Sequence, residues 1–458
     1  MPDAIDLARL QFAFTIGYHI LWPAYTIGIS GFIVLLGALW LHTRKPVYRA
    51  LMRFWIRLFA LGFGMGVVTG IVLSYEIGAN WAVFADRTAN VLGPFFLYEV
   101  LMAFFLEAGF IGIMLFGLDR FPDRLHFVSC LMVAVGAVFS AFWILVANSW
   151  MQTPAGFRMD GDIFAIVSWR AAIFTPSFIY RFAHMTTAAY LAGTFVVAGV
   201  MGWYLWRGEH RDLARTGFSL AMWLAVILAP AQLVIGDQHG LNTLNHQPIK
   251  VAAMEGDWET GVQDLVLFAW PDSRDERNLY ALSVPRLGSL ILTHRWDGVI
   301  RGLKSVPPGD RPNVPLVFFA FRIMVGCGLL MIAIAFIGLY LRWRGQLYDT
   351  RWFSFLCAFS SPVPFIAVLC GWTVTEAGRQ PWVVYGYLRT AEAVADVPAR
   401  AVAWSFALFV AIYLVMLAAF FFYAARLVLT GPGVGDPAQE PLAVRAGKDS
   451  APAHSRPG

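Results

Sequence analysis

The stretch GWTVTEAGRQPW, residues 371–382, closes an apolar run that begins near residue 352. It sets Glu376 and Arg379 three residues apart, between Trp372 and Trp382, where the chain should be leaving lipid. An apolar run of this kind, about 20 residues or more, is long enough to cross a bilayer. Ionisable groups in or at the end of such a run are rare and usually functional. A membrane helix that ends in a carboxylate and a guanidinium needs something for them to hold.

The rest of the chain also treats lipid as its main solvent. Of 458 residues, 59% are hydrophobic, 16% aromatic and only 14% charged, against about 25% charged in ordinary globular domains. The formal net charge of +5 is spread over loops, which suits orientation of spans and argues against nucleic acid as a partner. Cys130, Cys327, Cys357 and Cys370 lie in apolar runs without a C-x-x-C or C-x-x-C-H pattern. They read as packing residues, with neither a zinc ribbon nor covalently attached haem. The first nine residues hold two aspartates and one arginine, unlike the positive start of a cleaved signal peptide.

The fold class expected is an all-α integral membrane protein of about nine transmembrane helices in bundles. The spans fall near 10–41, 58–84, 93–118, 125–150, 180–206, 217–236, 313–341, 352–375 and 402–428. Connections after the first, third, fifth and seventh spans are rich in Arg and Lys, as in HTRKPVYRALMRFWIR and WRGEHRDLAR; those between them are poorer. The positive-inside rule then puts the N-terminus outside and the C-terminus in the cytoplasm. The chain divides into spans one to six (1–236), a long external loop (237–312), spans seven to nine (313–430), and a Pro/Gly/Ala-rich cytoplasmic tail (431–458) that reads as disordered.

Of nine histidines, His19 and His184 fall within spans. His42, His126, His210, His239, His246, His294 and His454 read as loop, helix-end or tail residues. Glu76, Glu99, Glu107 and Arg322 are also intramembrane, and with the orientation above His19, His184, Glu99, Arg322, Met324 and Glu376 share the outer half of the membrane. Each has a plain structural reading. An intramembrane His often bonds a neighbouring helix, Met fills core, Glu376 and Arg379 make an interfacial ion pair, and span-end Trp forms an aromatic belt. Together they suit haem. Iron takes His or Met axially, a His/Met pair gives a closed low-spin centre, and a single ligand leaves a position open. Arg322 and Arg379 suit propionates, while Glu99 and Glu107 suit a proton relay.

At this point the sequence resembles subunit I of the cytochrome bd-type quinol oxidases, bacterial terminal oxidases. The resemblance runs from the first span through the ninth. It rests on the G-R-Q-P-W run preceded by Glu376, on GYHILWPAYTIG around His19, ANSWMQTPAG after span four, FRIMVG at 321–326 and NHQPIKVAAMEGDWET at 245–260. The resemblance implies that His184 and Met324 hold a low-spin haem b with Arg322 beside it. His19 and Glu376 would hold two high-spin haems, a haem b and an oxygen-binding haem d or further haem b. It implies Glu99, Glu107 and Ser140 as a proton path, Trp372 between haems, Arg379 on a propionate, and Lys250 and Glu255 as quinol-binding residues, with Asp237 a further proton acceptor. The short external loop resembles the short-loop branch that includes cyanide-insensitive oxidases. Glu76 departs from the amide expected there and reads as paired with a neighbour.

The implied activity is a quinol:oxygen oxidoreductase in the bacterial inner membrane. Ubiquinol would be oxidised outside, and O2 reduced to water with cytoplasmic protons. Charge would thus be separated across the lipid without pumping. The implied partners are a second multi-span subunit and small single-span subunits. A membrane cytochrome that never touches oxygen, or a transporter with buried carboxylates, are the rival classes.

Overall fold

The structure, a computed structural model, describes residues 3–432. Residues 433–458, which hold most of the expected tail and His454, lie outside the described residues. Among the described residues, nine helices are long and apolar enough to cross a membrane. They are span one (Ala4–Thr43), two (Pro46–Ala79), three (Ala82–Phe116), four (Asp123–Gln152), five (Phe178–Arg207), six (Arg211–His246), seven (Val314–Trp343), eight (Arg351–Ala377) and nine (Ala399–Thr430).

Spans one and five form the centre, with 61% and 72% of their most apolar segments buried, against 6% for spans three and nine. The outer two therefore present surface to lipid or another chain, because little among the described residues covers them. The central crossing depends on small residues. A Cβ on Gly193 of span five would lie 2.6 Å from the Cα of Gly28 on span one. Without an apolar driving force between helices in lipid, such close backbone approach supplies the packing. Gly193→Val is expected to destabilise the fold by about 1–3 kcal/mol through overpacking. Lowered thermal stability of the purified protein would show it; an unchanged melting curve would mean that the two backbones are not in contact.

Ion pairs tie the loops into two separate faces. Arg44 after span one meets Asp123 at the start of span four, Arg49 and Arg53 meet Asp119, and Arg211 meets Asp349 after span seven. The opposite face carries Arg389 bonded to Asp310. It also carries the loop after span six, with a short helix Pro248–Glu255 and a hairpin of strands Leu265–Asp272 and Arg277–Val284. Both faces are thus built from the loops that the charge pattern groups together.

Four local departures from the sequence reading concern the site. Span two starts at Pro46, twelve residues before the expected 58. Proline at its first turn needs no N–H partner there, and the arginine-bearing turns lie ahead of the apolar core. Span six runs to His246, ten residues past the expected 236. Its polar extension meets protein and not lipid, with the His239 ring against His184 of span five and Asn242 donating to the Pro176 carbonyl. His239, expected in a loop, therefore lies within the helix. Span three contains a π-helical turn, Ala103–Ala108, around Glu107; such turns are frequent at functional sites. Span eight is interrupted between Ala358 and Val363, where Pro362 and Pro364 break the hydrogen-bond ladder.

Candidate active site

The exit of span eight carries a cluster of buried polar groups on the face of the loop after span six. One oxygen of Glu376, Oε1, accepts from Asn148 Nδ2 at 2.9 Å and Gln152 Nε2 at 3.2 Å, and the other is paired with Arg379. Asn148 and Gln152 stand one helical turn apart at the end of span four, in the motif ANSWMQTPAG. Lys250 Nζ enters the same cluster, donating to Gln152 Oε1 at 2.5 Å and to the Thr375 carbonyl at 3.1 Å. Arg181 of span five adds a guanidinium that feels the charges of Glu376 and Arg379. Arg181, Arg379 and Lys250 are 5%, 3% and 3% exposed. Three buried cations thus face one carboxylate. Burial pushes the Lys250 pKa well below the ordinary lysine value, and Arg181 and Arg379 push it further.

This surplus of positive charge fits a dianionic ligand such as the propionates of a haem. Arg379 Nε and Nη1 are buried without a hydrogen-bond partner, which leaves two donors in the fork geometry that grips carboxylates. Glu376 fits a ligand role as well. A carboxylate offers roughly four lone-pair sites; Asn148, Gln152 and Arg379 take three.

The other candidate ligands are each faced by a glycine. A Cβ at Gly371 would come within 3.0 Å of Met324 Sδ, one at Gly236 within 3.2 Å of His184 Cε1, and one at Gly70 within 3.4 Å of His19 Cε1. Space beside each donor is therefore kept free of side chain. His184 is held by Gln232, whose Nε2 donates to the His184 carbonyl at 3.1 Å, and its ring lies 5.4 Å from that of His239. His19 Nδ1 is 2.8 Å from Thr69 Oγ1, which itself donates to the Met65 carbonyl at 2.8 Å. The hydroxyl has one proton, so Thr69 accepts from Nδ1–H and leaves the Nε2 lone pair of a neutral imidazole for a metal. This is the usual outer-shell arrangement of a ligating histidine.

Glu99, Glu107 and Ser140 come together against span four. Ser140 Oγ donates to Glu99 Oε1 at 2.7 Å, and a Cβ on Gly136, one turn along from Ser140, would lie 2.9 Å from Glu107 Cγ. Both carboxyl groups thus face one side of span four. Glu76 is paired with Thr15, whose Oγ1 donates to Oε2 at 2.5 Å. Trp372 is half-buried on span eight beside Gly371.

Lys250 and Glu255, taken as a quinol-binding pair, point to different partners. Lys250 faces the Glu376 cluster. Glu255 Oε2 instead accepts from Arg322 Nη2 at 2.8 Å, and Arg322 also donates to the carbonyls of Val266 and Met254. Asp257 joins them. It is 3% exposed with Oδ2 unpartnered, and burial, followed by the Glu255 charge, pushes its carboxyl pKa well above the ordinary value. Asp237 lies within the helical extension of span six, where its Oδ2 accepts from Gln238. Sequence reasoning passed over Arg181, His239, Gln232, Asn148, Gln152, Thr69 and Asp257. Two signals were available: Asn148, Gln152 and Asp257 stand inside stretches already singled out, and Gln232 and His239 are seven residues apart on one helix.

Comparison with known proteins identifies the family of the chain as a whole. The family described as cytochrome bd terminal oxidase subunit I matches residues 7–432. The chain is 31% identical to the cytochrome bd-II ubiquinol oxidase subunit 1 of Escherichia coli, over 94% of this chain and 98% of that one. It is 33% identical to the cytochrome bd ubiquinol oxidase subunit 1 of Bacillus subtilis, over 93% of each. Its fold is similar to a chain in the structure of the bd oxidase from Geobacillus thermodenitrificans, with a TM-score of 0.87 and 29% identity, covering 94% of this chain and 99% of that one. With nine helices long and apolar enough to cross a membrane among its described residues, and with the family model matched across residues 7–432, the chain belongs to the cytochrome bd terminal oxidase subunit I family.

Proposed function

We propose that this chain is the haem-bearing subunit of a quinol oxidase that works with a second multi-span subunit and small single-span subunits. It would take electrons from quinol, with ubiquinol the expected donor, and reduce O2 to water. The observation that carries this reading is the set of three buried cations around Glu376, two of whose donors on Arg379 stand unpartnered. The haems, a low-spin haem b, a high-spin haem b and a haem d or further haem b, supply the electron relay and the oxygen-binding iron. His184 and Met324 would hold the first, and His19 and Glu376 the other two. Arg379 and Arg181 would fix propionates, and Trp372 would lie between haems.

Quinol binds on the face of the short helix Pro248–Glu255, which the charge pattern places outside. Arg322 orients Glu255 and anchors the hairpin at Val266, and Lys250 supplies a donor at the other end of that helix. The hydroquinone must lose two protons, and Asp257 and Glu255, both buried at the end of that helix, would accept them. Glu107, Ser140 and Glu99 hold and pass the protons consumed in water formation, delivered from the cytoplasm. Protons released on one face and taken up on the other separate charge at about 2.3 kcal/mol per charge per 100 mV, with no pump.

Haem typing of the purified complex, with carbon monoxide added to the reduced form, tests the whole reading. A shifted spectrum and quinol-dependent oxygen uptake are expected. A colourless protein would favour the transporter class, and a spectrum unmoved by carbon monoxide a closed cytochrome.

Asp257 gives a pH test. Its carboxyl accepts a proton only when ionised, and its raised pKa places that ionisation above the ordinary carboxylate range. Quinol oxidation should therefore climb as pH rises through that elevated value. Asp257→Asn is expected to flatten this acid limb and slow oxidation by about 10²-fold, with haem absorption unchanged. An identical pH–rate profile would remove Asp257 from the proton path.

A further inference from the structure

Glu76 is a buried carboxyl group to which the mechanism above gives no role. Its side chain on span two is 1% exposed, Thr15 of span one donates to Oε2, and Oε1 has no partner. On span nine, Tyr413 is also 1% exposed, and its hydroxyl has no partner. Glu76 and Tyr18 are the ionisable neighbours of that phenol. The Tyr18 hydroxyl is committed elsewhere, donating to the Tyr413 carbonyl at 3.0 Å. Two unpartnered buried oxygens, from spans two and nine, thus lie by one seam. Buried polar atoms without protein partners are commonly completed by ordered water or mark a functional role.

The seam continues in both directions with helical spacing. One turn toward the N-terminal end of span one, Asn80 Nδ2 donates to Gln11 Oε1 at 3.2 Å, and Ser405 Oγ donates to the same oxygen at 3.2 Å. One turn the other way lies His19 with its partner Thr69. Gln11, Thr15 and His19 are spaced at four residues, so they share a face of span one, about 6 Å apart along the axis. Glu76 of span two and Asn80, which caps that helix, follow the same spacing. The result is a polar ladder of three rungs, running from the loop end of the bundle to a candidate iron ligand, through segments that are otherwise apolar. No lysine, arginine or second carboxyl is paired with Glu76 among the described residues.

We propose that Glu76 carries a proton for the His19 site. It takes one proton from water at the loop end, along Gln11, Asn80 and Ser405, when the site beside His19 gains an electron from quinol. It returns that proton by the same route when the electron leaves. One electron and one proton arrive together, and no covalent bond other than the carboxyl O–H is made or broken. The inference rests on the reading that His19 holds a haem, and Glu76 acts as a positioning residue for charge, since it does not touch the ring.

Redox-difference infrared spectroscopy of the purified complex tests it. The native protein is expected to show a carboxylic C=O band that changes between oxidised and reduced forms and moves in D2O. Glu76→Gln should lose that band with haem absorption retained, Glu76→Asp should restore it at a shifted position, and the potential of the His19 haem should depend less on pH in Glu76→Gln. If Glu76→Gln does not assemble, Thr15→Val removes only the hydroxyl donor and must displace the same band. An unchanged carboxylic region in Glu76→Gln, or an unmoved band in Thr15→Val, overturns the proposal. A native protein without haem absorption would instead overturn the functional reading beneath it.

Discussion

Replacing His184 by alanine, or Met324 by leucine, is expected to abolish the low-spin haem absorption of the complex almost completely. Leucine keeps the volume of methionine, and swaps of this kind usually cost less than about 1.5 kcal/mol, so the fold should survive while the thioether donor is lost. The environment of each residue supports the expectation. Gly371 leaves room beside Met324 Sδ and Gly236 beside the His184 ring. The Met324→Leu protein should also gain carbon monoxide binding at the centre that was closed. Reduced-minus-oxidised spectra of the purified variants provide the measurement. A native low-spin spectrum in either variant would eliminate that residue as a ligand.

The second large effect concerns oxygen reduction. Glu107→Gln should slow it by about 10²–10⁴-fold, the usual contribution of a positioned proton-transfer group, while haem content stays intact. Glutamine preserves shape and removes only the exchangeable acid. The π-helical turn at Ala103–Ala108 and the missing Cβ of Gly136 together set the Glu107 side chain against span four. Ser140→Ala removes one hydrogen bond to Glu99, worth about 1 kcal/mol or roughly fivefold, and should do far less. Oxygen consumption by the pre-reduced variants separates the two. Full turnover in Glu107→Gln would leave the proton path without its central residue.

The nine spans were legible because lipid imposes a strong requirement: a long apolar helix is the only way for an isolated segment to satisfy its backbone in hydrocarbon. The same requirement says nothing about where a helix stops once it has left lipid. Span six could therefore continue to His246, and His239 could pass for a loop residue. The buried ionisable residues were legible for a related reason. A His, a Glu or an Arg in an apolar run stands out because its burial is costly. Asn148, Gln152 and Thr69 do not stand out. They are neutral, common and inexpensive to bury when bonded, so only their partners reveal them.

By itself, the sequence determined the number of spans, their alternation between a basic and a less basic face, and the donor atoms within them. Local composition and the energetics of lipid suffice for those. Tertiary structure decided which groups share a cluster. It turned Lys250 toward Glu376 and Glu255 toward Arg322, and it brought Arg181 into a region with more cations than carboxylates. It also aligned Glu76 with His19 across two helices. Each of these is set by the rotation and depth at which one helix meets another. That geometry is fixed by close contacts such as Gly28 on Gly193, between residues far apart in the chain.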